Sequence, residues 1–186
     1  MGYAKYFANW PKAFPISADH RAVRGGMPVM ETKNFGKISF EPDSELEFPR
    51  GLPGFDSRKR FVAVRYVESD PLVYLQSLED PDLCFITMPI LAVDPRYRLR
   101  VSGEDLDQIG LGAARQPKIG DDVLCLTVLS IRESGPTANL LAPIVVNLRN
   151  RRAVQSVAQD SDYPLRHALL PAEENEAMPH EASVCS

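Results

Sequence analysis

The sequence predicts a mainly β fold: a compact, antiparallel, β-barrel-like single domain with one short helix and flexible tails. Three observations carry that expectation. Short runs rich in β-branched and aromatic residues recur between turn signals. A double turn, Phe48-Pro49-Arg50-Gly51-Leu52-Pro53-Gly54-Phe55, interrupts them with a segment that can be neither a helix nor a central strand. Little of the chain has helical periodicity, so closing the sheet on itself is the simplest way to remove its edges.

The elements follow in chain order. Residues 1–30 mix aromatic residues, prolines and glycines without periodicity and are expected to form a disordered extension. Arg24-Gly25-Gly26 can be encoded by purine runs resembling a ribosome-binding sequence, just ahead of Met27 and Met30. The native chain is therefore expected to start at one of those methionines. The domain proper spans 31–170, and 171–186 form an acidic, disordered tail. In the double turn, proline fixes φ while Gly51 and Gly54 permit positive φ, so the two flanking phenylalanines enter the core on either side.

Strands are expected at 61–67, 72–78 and 84–88, separated by Ser69-Asp70-Pro71 and Asp80-Pro81-Asp82, with Asp94-Pro95 as the next turn. One helix follows: Ser102 caps it, Asp105 stands at the capping-box position, Leu106 and Ile109 form its apolar stripe, and Gly110 stops it. Residues 123–131 are almost continuously apolar, which predicts a strand covered on both faces. Pro143 opens a further strand at 144–148, and Asn139 and Asn147 suit strand ends.

Composition bounds the function. At 186 residues and 44% hydrophobic content, the chain suits one domain plus tails. A core of that size buries about two-thirds of its unfolded surface and needs no staples. Three cysteines, no C-x-x-C and no secretory signal point to a reducing cytoplasm. The longest apolar run, 138–146, is far short of the roughly 20 residues that span a bilayer. The net charge of −4 is uneven: residues 1–30 carry +3, residues 171–186 carry −4, and the domain between carries −3. That balance disfavours direct nucleic-acid binding by the domain.

The chemistry-bearing candidates are few. Glu79-Asp80-Pro81-Asp82 is the best acidic cluster, and no further ligands follow at metal spacing. Glu79, Asp80 and Asp82 form either a polar turn bonded to nearby amides or an acidic surface for a basic partner. Asn139 and Asn147 either donate to a partner or satisfy their own backbone. His167 has no nucleophile elbow to serve and is read as packing beside Arg166. Gly110-Leu111-Gly112-Ala113-Ala114-Arg115 fails as a dinucleotide fingerprint, and Gly51-Leu52-Pro53-Gly54 lacks an amide that a nucleic-acid clamp would use. Arg149-Asn150-Arg151-Arg152 reads as a solvated hairpin turn. No catalytic residue, cofactor or metal is expected.

The double turn stands in order with Leu75-Gln76-Ser77-Leu78-Glu79-Asp80-Pro81-Asp82-Leu83-Cys84-Phe85 and Thr137-Ala138-Asn139-Leu140-Leu141-Ala142-Pro143-Ile144-Val145-Val146-Asn147. An opening Glu31-Thr32-Lys33-Asn34-Phe35-Gly36 and a closing Tyr163-Pro164-Leu165-Arg166-His167-Ala168-Leu169 bracket them. In that order and spacing they resemble the flagellar assembly factor FliW family over nearly all of residues 31–170. Two positions depart from its pattern: Ala168, where proline usually follows the Arg-His pair, and Ala153, where a hairpin glycine is common.

The resemblance implies a compact β-barrel-like fold and a cytoplasmic, non-enzymatic role in bacterial flagellum biogenesis. It implies two partners. One is the RNA-binding translational regulator CsrA, whose repression of flagellin mRNA the family relieves through an allosteric block. The other is flagellin, bound as a chaperone would bind it. Unsecreted flagellin then occupies the protein, frees CsrA and lowers flagellin translation. The chain is expected to be monomeric and to touch neither nucleic acid nor membrane directly. The rival is a small-molecule-binding β-barrel or an enzyme using its interior, which would need inward polar groups where the strands offer Val, Leu, Ile and Phe.

Overall fold

The computed structural model describes residues 16–17, 27–157 and 162–169. Twelve strands and two short helices run along them. The first half holds β1 (Ile16–Ser17), β2 (Val29–Thr32), β3 (Gly36–Ser39), β4 (Glu45–Glu47), β5 (Arg60–Arg65), β6 (Val73–Ser77) and β7 (Cys84–Pro89). Helices α1 (Ile90–Val93) and α2 (Gly103–Gln108) follow. The second half holds β8 (Val123–Arg132), β9 (Gly135–Ala138), β10 (Ile144–Asn147), β11 (Ala153–Gln155) and β12 (His167–Ala168).

The alternation of apolar side chains in β5 places both faces of that strand in contact with other elements. Phe61 and Ala63 point to the inner side, where they meet Leu46, Phe48, Leu75, Leu126 and Ile144. Val62 and Val64 point outward and are covered by Ile38 and Phe40 of the β2–β3 hairpin and its exit. β8 divides likewise. Leu124 and Leu126 face inward, whereas Val123 and Cys125 face a second apolar layer with Ile90, Leu106 and Ile109. The expected coverage of β8 on both faces holds for its first five residues and lapses beyond Thr127, ending at Ile131, which is 71% exposed.

The order of the main sheet is β5-β6-β7-β8-β10-β11, antiparallel at every pair, with β4 along the outer edge of β5 and β9–β12 extending from β8. The mainly β, antiparallel, single-domain expectation is met. Closure is looser than a barrel. The two ends meet at one bridge, Glu47–Arg152, where the amide of Glu47 donates to the Arg151 carbonyl at 3.1 Å. Three-residue strands at both ends cannot continue that pairing as a ladder, so the sheet curls without closing.

Helix α2 is six residues long, too short to persist on its own. It is held by the Ser102 hydroxyl, which accepts from the Asp105 amide at 3.1 Å, and by burial of Leu106 and Ile109. Asp105 does not return a capping-box bond; its carboxylate accepts from the Ser156 hydroxyl at 2.7 Å and ties the helix to the end of β11.

Of the expected extension 1–30, Ile16–Ser17 pair in parallel with Val64–Arg65, and Val29–Met30 already belong to β2. Residues 1–15, 18–26 and the acidic tail 171–186 lie outside the described residues.

Candidate partner-binding groove

Glu79, Asp80 and Asp82 come together on the β6–β7 connection, each facing a cation. The Glu79 carboxylate accepts from the backbone amides of Lys59 at 2.5 Å and Arg60 at 3.2 Å. Those amides, the Lys59 one foremost, hold its carboxyl below the usual glutamate range. Asp80 accepts from Nε and Nη2 of Arg58, both at 3.3 Å, and Asp82 lies 3.4 Å from Lys33 Nζ. Beneath them the fully buried Gln76 directs Nε2 at the carbonyls of Ser77, Asp80, Pro81 and Leu83, between 3.0 and 3.4 Å. This is a built turn whose negative charge is locally matched.

The two asparagines part company. Asn147 is buried, donates from Nδ2 to the Ile109 carbonyl at 2.8 Å and accepts the Arg149 amide at 2.9 Å. It fastens the end of α2 to the β10–β11 turn. Asn139 accepts the Ala142 amide at 2.9 Å through Oδ1, while its Nδ2 has no partner among the described residues.

Asn139 borders an open groove of about 210 Å³. Leu52, Phe85 and Val128 form its apolar floor, and Ser130, Arg132, Gln155 and Arg166 form its polar rim with Asn139. The floor is fixed from below because Leu52, Phe85 and Val128 all pack on the inner core. Phe55 stands edge-on to Phe85 with ring centroids 5.2 Å apart and stays 39% exposed. Arg132 and Arg166 form neither an ion pair nor a side-chain hydrogen bond among the described residues. The groove can seat an apolar side chain and hold a carboxylate or carbonyl at its rim.

Four of the five quoted sequence segments reach this groove: the double turn through Leu52, the second through Phe85, the third through Asn139, and the closing one through Leu165 and Arg166. Of the five singled-out residues only Asn139 lies in it. Arg132 and Gln155 were missed because their placement comes from the sheet, and no local pattern marks them. Phe85, Leu165 and Arg166 were visible only as parts of quoted segments.

Other reactive groups are quiet. Burial pushes the Cys84 thiol up to about 12, and the fully buried Cys125 higher still. His167 is half-buried in β12, paired with Ala138. Among the described residues, no group of three or more His, Cys, Asp or Glu could hold a metal ion.

Fold and groove define a single-domain, mainly β protein that offers a surface site, its interior being filled with side chains. Comparison with known proteins makes this specific. The family model described as FliW protein matches residues 29–169, so the chain belongs to the FliW family of flagellar assembly factors. It is 32% identical over 139 residues to the flagellar assembly factor FliW of Syntrophomonas wolfei, covering 73% of this chain and 84% of that one. It is 35% identical over 137 residues to that of Bacillus licheniformis, covering 73% and 92%. A crystal structure of the flagellar assembly factor FliW superposes with a TM-score of 0.68 at 28% identity, covering 78% of this chain and 99% of that one.

Proposed function

We propose that this chain acts in the cytoplasm, without catalysis, by binding CsrA and flagellin in competition. Free chain holds CsrA and relieves repression of flagellin mRNA; accumulating flagellin occupies the chain and returns CsrA to its RNA. The observation that carries this reading is the convergence of four sequence segments on one groove whose rim carries two guanidinium groups, Arg132 and Arg166, without an ion pair among the described residues. A filled interior, with Phe48, Phe61, Leu75 and Leu126 all at the fully buried extreme, counts against a small-molecule barrel.

Charge divides the two partners. Arg132 and Arg166 repel a basic RNA-binding protein, so the groove suits flagellin. The rest of a domain that carries −3 suits CsrA, because complementary charge speeds encounter and fixes orientation. Each tenfold difference in affinity between the partners corresponds to about 1.4 kcal/mol.

Titration calorimetry of the purified chain with CsrA, then with flagellin, tests this. Both should bind, and prior saturation with flagellin should abolish the CsrA heat. Two flat titrations at low salt would end the proposal.

A further inference from the structure

Away from the groove, exposure alternates with a period of two along residues 96–101, as in a strand, although the segment pairs with none. Arg96, Arg98 and Arg100 are exposed, while Tyr97 and Val101 are buried and Leu99 packs on the outer apolar layer. Side chains hold the segment in place. Arg98 N–H donates to the Tyr163 hydroxyl at 2.9 Å, and the Tyr97 hydroxyl donates to the Leu140 carbonyl at 3.0 Å. Gln116 accepts from the Val101 amide at 2.8 Å and donates back to the Val101 carbonyl at 3.0 Å.

The result is a row of three arginines on a fixed backbone. Arg98 and Arg100 line an open cleft of about 480 Å³ together with Leu99 and Val157. None of the three makes an ion pair or side-chain hydrogen bond among the described residues. The neighbouring acid, Asp94, accepts from the Arg96 backbone amide at 2.9 Å and pairs with none of their side chains. The Leu99 and Arg100 amides likewise take no hydrogen bond among the described residues.

We propose that this cleft binds an extended acidic segment of a partner protein, one with Asp or Glu at every second residue. Three features of the site select that ligand. Residues two apart on an extended chain stand roughly 6.6 Å apart, so arginines on alternate residues match carboxylates on alternate residues. The open amides of Leu99 and Arg100 suit the carbonyls of a peptide. Leu99 and Val157, the latter 53% exposed, offer apolar contact to the residues between the acids. A single-stranded nucleic acid would call for an exposed aromatic ring on which to stack its bases. Tyr97 is instead buried and stacked on Tyr163 at 4.3 Å. The domain's net charge of −3 does not oppose the contact, because at 0.1 M salt charges more than about 10 Å away are screened. This inference stands apart from the CsrA and flagellin reading and fails or holds independently of it.

The test is fluorescence anisotropy of a labelled five-residue peptide with glutamate at its first, third and fifth positions and threonine between, titrated with the full chain at low salt. The peptide should bind, and its addition should shift the backbone amide signals of Leu99 and Arg100. Affinity should fall about tenfold in an Arg98→Gln, Arg100→Gln variant, in which two exposed charge contacts are lost. Both substitutions sit at exposed positions and leave the Arg98 backbone bond to Tyr163 in place. A peptide of the same composition with its three glutamates adjacent should bind more weakly than the alternating one. No binding at low salt overturns the proposal, as does an affinity unchanged in the variant. Equal binding of the two peptides overturns it as well, since bare charge attraction would then suffice. Amide signals that ignore the alternating peptide but shift with a single-stranded RNA oligonucleotide also overturn it and assign the arginines to nucleic acid.

Discussion

Gln76 shows how one buried amide organises a charged surface. Its Nε2 serves four carbonyls of the β6–β7 turn while its Oε1 is buried without a partner, so its donor side is what the fold uses. Gln76→Leu keeps the volume and strands those acceptors, and should destabilise by about 1–3 kcal/mol in urea unfolding. Asp122 makes the complementary case at the surface. It accepts from Arg115 at 2.7 and 2.9 Å and from the Lys118 amide at 2.9 Å, and the Arg115 bond leads in lowering its carboxyl to about 2. A carboxyl depressed on folding stabilises above its ordinary value of 3.8 and loses that contribution as pH falls through about 2. Asp122→Asn should therefore melt below wild type at pH 7, with the gap closing across that acid window. The charge of the Glu79–Asp82 cluster was legible in the sequence; its partners Lys33, Arg58 and Arg60 were not, because the turn meets them only through sheet pairing.

At the scale of elements, legibility followed the strength of the local pattern. β5, β6, β7, β8 and β10 are runs of β-branched and aromatic residues and lie within a residue or two of their expected bounds. β4, β9, β11 and β12 are two to four residues long, carry Glu, Gly, Pro, Gln or His, and exist because a neighbour offers an edge. Turn chemistry was the clearest signal. Gly51 and Gly54 have φ of 74° and 82°, as the double turn required. They differ in surroundings: a Cβ on Gly51 would lie 2.7 Å from both Asp56 Cα and the Phe55 carbonyl, whereas one on Gly54 meets nothing within 4 Å. Gly54→Ala should cost only the left-handed backbone, about 1 kcal/mol, while Gly51→Ala should cost clearly more and displace Phe55. Equal melting temperatures for the two variants would contradict that account of the turn.

For the whole molecule, the distribution of charge and the open curl of the sheet matter more than any single strand. The inner core is built of buried apolar side chains, the paired carboxylates hold one turn, and Arg132 and Arg166 mark the groove. Asn139 was the one groove residue read from the sequence; the rest of the rim assembles from β8, β11 and the closing segment, which no window of sequence joins. Flagellin is the proposed occupant of this groove. A photo-crosslinking side chain placed at Leu165, which is 54% exposed beside the rim, should form a covalent adduct with flagellin on irradiation. The same group at Val67, which is 85% exposed and follows β5 outside the groove, should not. Adducts at Val67 with none at Leu165 would contradict the assignment.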